Sequence, residues 1–183
     1  MNLTNQFLIA MPAMTDPNFH GAVVYVCEHG DKGALGLVIN RPTELTLGQL
    51  FDKIELKLEI APLREQPVFF GGPVQTERGF VLHQPRGSYS SSLAIGENAA
   101  LTTSRDVLED VARGQGPQRM LVTLGYAGWG QGQLEHEVSE NAWLTLPANE
   151  SIIFDTPPEQ RFSAALGLLG IDPLHLTGQV GHA

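Results

Sequence analysis

A single cysteine, Cys27, stands in 183 residues. That excludes an intramolecular disulfide framework and any cysteine-rich zinc knuckle. Positive charge is scarce as well, with 11 Lys and Arg against 20 Asp and Glu and a formal net charge of -9. The cations are scattered, whereas gripping a phosphate backbone needs them clustered, so direct nucleic-acid binding is not expected. An acidic surface mainly keeps a protein dissolved. No apolar run approaches the roughly 20 residues of a membrane-spanning helix, so no membrane partner is expected. The segment from Met1 to Pro12 has neither the basic stretch nor the apolar length of a secretory signal, which makes a reducing, cytoplasmic setting the expectation.

Several catalytic and nucleotide motifs are missing too. Gly128, Gly130 and Gly132 fall short of G-x-G-x-x-G because position 133 is Gln, and no Gly-Lys-Ser/Thr follows. Gly87-Ser-Tyr-Ser-Ser91 lacks the closing glycine of a nucleophile elbow. His136-Glu137 opens like a zinc-protease helix, but the second histidine is absent. No cofactor and no metal are expected.

What is present is an ordinary globular mixture, 42% hydrophobic and 17% charged, long enough for one well-buried domain. Ala22 to Glu28 is an unbroken β-branched and aromatic run, expected to be a strand covered on both faces. Gly30 to Gly33 turns it, Ala34 to Ile39 returns as the second arm of a hairpin, and Asn40-Arg41-Pro42 ends it. Thr46 with Gln49 is a capping-box pattern before a helix over about 47–54. Residues 55–60 alternate and fit either a strand or a fraying helix.

Val68 to Phe70 and Phe80 to His83 read as strands around two turn clusters, Gly71 to Val74 and Thr76 to Gly79. The Ser-rich stretch from Pro85 to Ser92 reads as a mobile loop. Leu93 to Ile95 and Ala99 to Thr102 form a hairpin, followed by a helix capped by Thr103 or Ser104 and closed by Gly114. A strand from Met120 to Tyr126 leads through the loop Gly125 to Glu135, whose four glycines surround Trp129, into a helix over about 132–142. Trp143 to Leu146 and Ser151 to Phe154 read as strands. Thr156-Pro-Pro-Glu159 starts a last helix that Gly170 ends. The expected class is α+β, a mainly antiparallel sheet with about four helices packed around it.

Cys27 and His29 share a strand face, but a buried free cysteine is the commoner outcome. His136 and Glu140, four apart, fit a solvated helix face. Asp16 and His20 fit an Asp-Pro turn better than a base with its orienting acid. Trp129 is either a plug that fixes its loop or an exposed platform, the plug being favoured because apolar anchors usually face inward.

Taken together, several blocks resemble the AlgH/YqgE family. They are Leu8 to Pro12 with Met14, Asp16 and Phe19; Glu28-His29; Gly33 to Pro42; Gly71 to Val74; Gly79 to His83; and Gly125 to Trp129 with Gly132 to Glu135. The resemblance implies one AlgH-like domain over about residues 3–176, followed by a flexible tail, 177–183. It also implies a sheet curled into a partial barrel. The family bears the label of transcriptional regulator, and no catalytic residues come with it.

Two readings follow. The first is a non-enzymatic binding or regulatory domain acting through a protein or small-molecule partner. Its surface would be built by Asn40, Arg41, His20, Trp129, Gln133 and Glu135, with the Arg41 fork meeting a partner's carboxylate. The second is a small-molecule enzyme with a cleft near Gly125 to Glu135, where at least two of His20, His29 and Glu135 converge as acid and base.

Overall fold

A computed structural model describes residues 1–172 and Leu174. The run expected to be covered on both faces is β2 (Val23–Gly30). Its Val23, Tyr25 and Cys27 enter one apolar cluster and its Val24 and Val26 another, the period-two alternation of a strand packed on two sides. β3 (Gly33–Val38) returns beside it, antiparallel, with a bulge between Val26 and Glu28. β1 (Gln6–Ala10), not expected from the sequence, lies between β2 and β10 (Trp143–Pro147).

β9 (Arg119–Trp129) is the pivot of the sheet. Ala127 to Trp129 pair with β3, and Arg119 to Leu124 pair with β6 (Val74–Gln84). Thr123 and Leu124 also run parallel to β5 (Pro67–Phe70). Gly125, with φ +79, sits at the change of partner, and a Cβ there would stand 2.3 Å from the Gly72 carbonyl oxygen. A Cβ on Gly72, with φ +153, would fall 2.1 Å from the Tyr126 carbonyl carbon. The two glycine motifs therefore cross backbone against backbone, which no side chain permits. The segment expected to be a loop is strand as far as Trp129.

β8 (Ala99–Thr102) and β7 (Ser92–Ile95) continue the sheet beyond β6, giving the order β10-β1-β2-β3-β9-β6-β8-β7. Among the described residues β4 (Pro42–Thr46) pairs only with β5. Pro42 thus begins a strand, where it was expected only to end one, and at an edge its missing N–H leaves no ladder bond unmade. The sheet curls into the expected partial barrel, and the fold is α+β.

Six α-helices pack on it among the described residues, against an expectation of about four. α1 (Leu47–Lys53) carries the expected Thr46–Gln49 capping box, and Glu55, at φ 61, follows its end. Residues 55–60 are neither strand nor helix, and α2 (Ala61–Arg64) follows. α3 (Asp106–Ala112) lacks the expected cap, because the Ser104 hydroxyl donates to the Asp106 carboxylate instead. α4 (Gln133–Ser139) is shorter than expected. α5 (Glu150–Phe154) replaces an expected strand, since the Asn149 side chain accepts from the Ile152 N–H and caps a helical turn. α6 (Arg161–Leu168) follows a 3-10 turn at Pro158–Gln160.

Three apolar clusters result. α5 and α6 pack Ile152, Ile153 and Leu166 with Phe7, Leu37 and Leu82. α4 packs Leu134 with Leu8, Val24, Trp129 and Trp143. α1 and α3 pack Phe51 and Val107 with Val68, Val81 and Val122. The Pro85 to Ser92 segment, expected to be mobile, is tethered: Arg86 Nε donates to the Ala99 carbonyl at 3.2 Å and Tyr89 to Asp110 at 3.0 Å. The tail 177–183 lies outside the described residues.

Candidate functional site

Asn40 and Arg41 follow β3 and face the loop that enters β2. Asn40 Oδ1 accepts the Val23 N–H at 2.9 Å while its Nδ2 donates to the Gly21 carbonyl at 2.9 Å. The Arg41 guanidinium donates to the carbonyls of Asn18 and His20, and at 3.4 Å to that of Pro17. The fork expected to meet a partner's carboxylate is thus committed to the chain's own backbone. Partial burial lowers the Arg41 pKa, with Asp16 pulling it back up. His20 is exposed and supplies only its carbonyl to this clamp. Asp16 accepts the Asn18 N–H at 2.9 Å, so the Asp-Pro turn is the correct reading of that motif.

The clamped loop carries Phe19, whose ring lies 6.1 Å from Trp129 with the planes 21° apart. Phe19 also meets Trp143 edge-on at 5.6 Å. Trp129 is 6% exposed, so it is the plug and not the platform. Its indole N–H donates to Glu137 Oε1 at 3.0 Å, and the Trp143 indole donates to the same oxygen at 2.9 Å. Gln133 donates to Glu137 Oε2 at 3.0 Å and accepts the Gly130 N–H at 2.9 Å, which closes the turn into α4. Glu137 is the hub that sequence reasoning missed. The signal was an acid on a helix lying between two tryptophans in sequence.

Glu135, two residues earlier on the helix, turns to His29. His29 Nδ1 accepts the Leu3 N–H at 2.9 Å, so the ring proton sits on Nε2. Nε2 and Glu135 Oε1 stand 3.2 Å apart, off the line of a straight hydrogen bond, and neither has another partner among the described residues. That oxygen is sealed, although 38% of the Glu135 side chain is exposed. Its own backbone N–H, and then His29, hold the Glu135 carboxyl below the usual range. Cys27 contacts the Tyr25 carbonyl at 3.7 Å rather than His29, and burial pushes its thiol far up. His136 and Glu140 are 3.7 Å apart on an exposed helix face. No group of three or more metal-ligating side chains occurs among the described residues.

A second polar assembly, also unforeseen, surrounds His83. Its Nδ1 lies 2.9 Å from the Pro85 carbonyl, which can only accept, so Nε2 accepts from the Thr102 hydroxyl at 2.7 Å. Thr102 in turn lies 2.7 Å from the Ser92 hydroxyl. Burial lowers the His83 pKa, against the Pro85 bond, which raises it. Spacing gave no sign of this chain, because its members come from three different strands.

Beside the tryptophan cluster lies a shallow depression of about 400 Å³. Leu35, Val74 and Tyr126 give it an apolar floor, and the exposed Glu28 and Lys32 stand among its lining residues. Gly33 and Gly128 line it as well, and a Cβ on Gly33 would lie 2.1 Å from the Trp129 carbonyl oxygen. Apart from Lys32, every lining residue belongs to a block on which the family resemblance rests.

A curled half-barrel of mainly antiparallel strands is the architecture of an AlgH-like domain. The AlgH-like family profile (DUF179) matches residues 7–174, and the chain belongs to that family. UPF0301 proteins of Ralstonia nicotianae and Cupriavidus pinatubonensis are each 66% identical over 183 residues, all of this chain and 96% of theirs. The solution structure of AlgH from Pseudomonas aeruginosa superposes with a TM-score of 0.82 at 52% identity, covering 100% of this chain and 97% of that one. A crystal structure from Corynebacterium diphtheriae shares the fold alone, with a TM-score of 0.68 at 17% identity, covering 89% of this chain and 85% of that one. No helix among the described residues is long and apolar enough to cross a membrane.

Proposed function

We propose that the chain is a non-catalytic binding domain whose contact surface is the depression beside Trp129. The observation that carries this is the pairing of an apolar floor (Leu35, Val74, Tyr126) with two exposed charges of opposite sign, Glu28 and Lys32. Such a patch suits a protein partner that presents an apolar side chain flanked by charge. The polar candidates behind it serve the scaffold: Asn40 and Arg41 hold a loop, and Gln133 and Glu137 hold indoles. Any regulatory role is exerted through that partner and not through DNA, which the net charge of -9 would repel.

The enzymatic alternative asks for two acid–base groups converging on a cleft. His29 and Glu135 do converge, but neither lines the depression. The test is capture from a native lysate on immobilised wild type and on the Lys32→Glu and Glu28→Lys variants, followed by titration of the purified partner. Affinity should fall at least tenfold in the variants, and an unchanged dissociation constant would remove this surface. Duplex DNA titrated at low salt, where attraction is strongest, should show no binding.

A further inference from the structure

We propose that Arg161 and the cavity it lines form a binding site for a small amphipathic anion, with a carboxylate or phosphate head and an apolar body. This site is separate from the depression beside Trp129 and does not depend on it.

Arg161 opens α6 and is only 5% exposed. Its Nε donates to the Thr156 carbonyl at 2.8 Å, its Nη1 donates to the Ile39 carbonyl, and its guanidinium carbon lies 5.0 Å from the centre of the Phe69 ring. Carbonyl dipoles and a π face soften the cost of burial but do not neutralise a full charge. No carboxylate among the described residues forms an ion pair with it. Buried arginines are ordinarily paired, so the missing counter-charge needs an account. Burial pulls the guanidinium down to about 10, opposed by the exposed Glu159, and it remains a cation at neutral pH.

The cavity supplies the room. It offers about 290 Å³, partly open to solvent, and is walled by Phe69, Leu121, Val122, Ile153 and Pro157. A second space of about 270 Å³ adjoins it, sharing Gln66, Met120, Phe154 and Asp155. The two together reach the range of small-molecule pockets, roughly 300–1,000 Å³. Asp155, the carboxylate on the shared wall, is taken by Arg119 at 2.9 Å, so it does not discharge Arg161. Nη2 makes no hydrogen bond among the described residues. A carboxylate or phosphate oxygen there would gain a charge-assisted bond while its chain covers the apolar wall.

The test uses the ¹⁵N-labelled full chain, titrated separately with sodium octanoate, octan-1-ol and inorganic phosphate. The signals followed are the Arg161 Nε–H and the amides of Thr156 and Phe69. Saturable shifts are expected with octanoate or phosphate, with octanol at least tenfold weaker than octanoate. Arg161→Gln should abolish the preference of octanoate over octanol. Should that variant fail to fold, the contrast between probes on the wild type still decides. Octanol matching octanoate, or no probe moving these signals, overturns the site and leaves Arg161 as a brace between α6 and the sheet.

Discussion

Phe19 lies against the Trp129 indole, 6.1 Å between ring centroids, and the loop that presents it is held by the Arg41 clamp on the Asn18 and His20 carbonyls. A residue expected to greet a partner instead positions an aromatic ring. Arg41→Ala should release the loop, shift tryptophan emission to the red and open Trp129 to acrylamide. Stability should fall by about 1–3 kcal/mol, and Arg41→Lys should not rescue it, because an ammonium cannot span the carbonyls as a fork does. Unaltered emission and quenching would show that the clamp is idle.

Glu137 receives both indole N–H groups on one oxygen. Glu137→Ala leaves two buried donors unpaired and should cost about 2–4 kcal/mol in urea denaturation. Glu137→Gln keeps an acceptor and should lose less than half of that. Equal losses would assign the cost to packing.

His83 ties stability to pH. Burial lowers its folded pKa, so on acidification the unfolded chain takes up the proton first, starting near the ordinary value of 6.5. The contribution is present above 6.5 and is lost as pH falls through the folded value. Unfolding free energies measured from about pH 7 to 5 should fall more steeply for wild type than for His83→Gln. Parallel slopes would exclude His83 as the source.

Glycine positions separate cleanly. Gly72→Ala places a Cβ 2.1 Å from the Tyr126 carbonyl carbon at φ +153 and should cost more than about 3 kcal/mol or prevent folding. Gly79→Ala, in the neighbouring strand, meets nothing within 4 Å and should change stability by less than about 1 kcal/mol. A tolerated Gly72→Ala would mean that the backbone crossing is not tight.

The sheet was legible where local pattern decides. The unbroken apolar run around Val23 to Cys27 marked a strand packed on two sides, and Thr46 with Gln49 marked a helix start. It failed where partners distant in the chain decide. Ile152 and Ile153 favour strands by branching, yet the Asn149 cap makes them helical. Gly125 reads as a loop, yet pairing with β3 and β6 on either side keeps β9 extended through it. Arg41 and His20 connect to Trp129 and Gln133 through the Phe19 loop and Glu137, contacts that spacing does not reveal. Nothing in the letters of Arg41 reveals that its acceptors are carbonyls about twenty residues upstream.

Because β9 binds β3, β5 and β6 together, those three strands have no complete partner set until residue 129 has been synthesised. A nascent chain that stalls earlier carries open hydrogen-bonding edges, which invite pairing between molecules. Truncation within the first two thirds of this polypeptide should therefore give insoluble aggregates and not a smaller soluble version of the same domain.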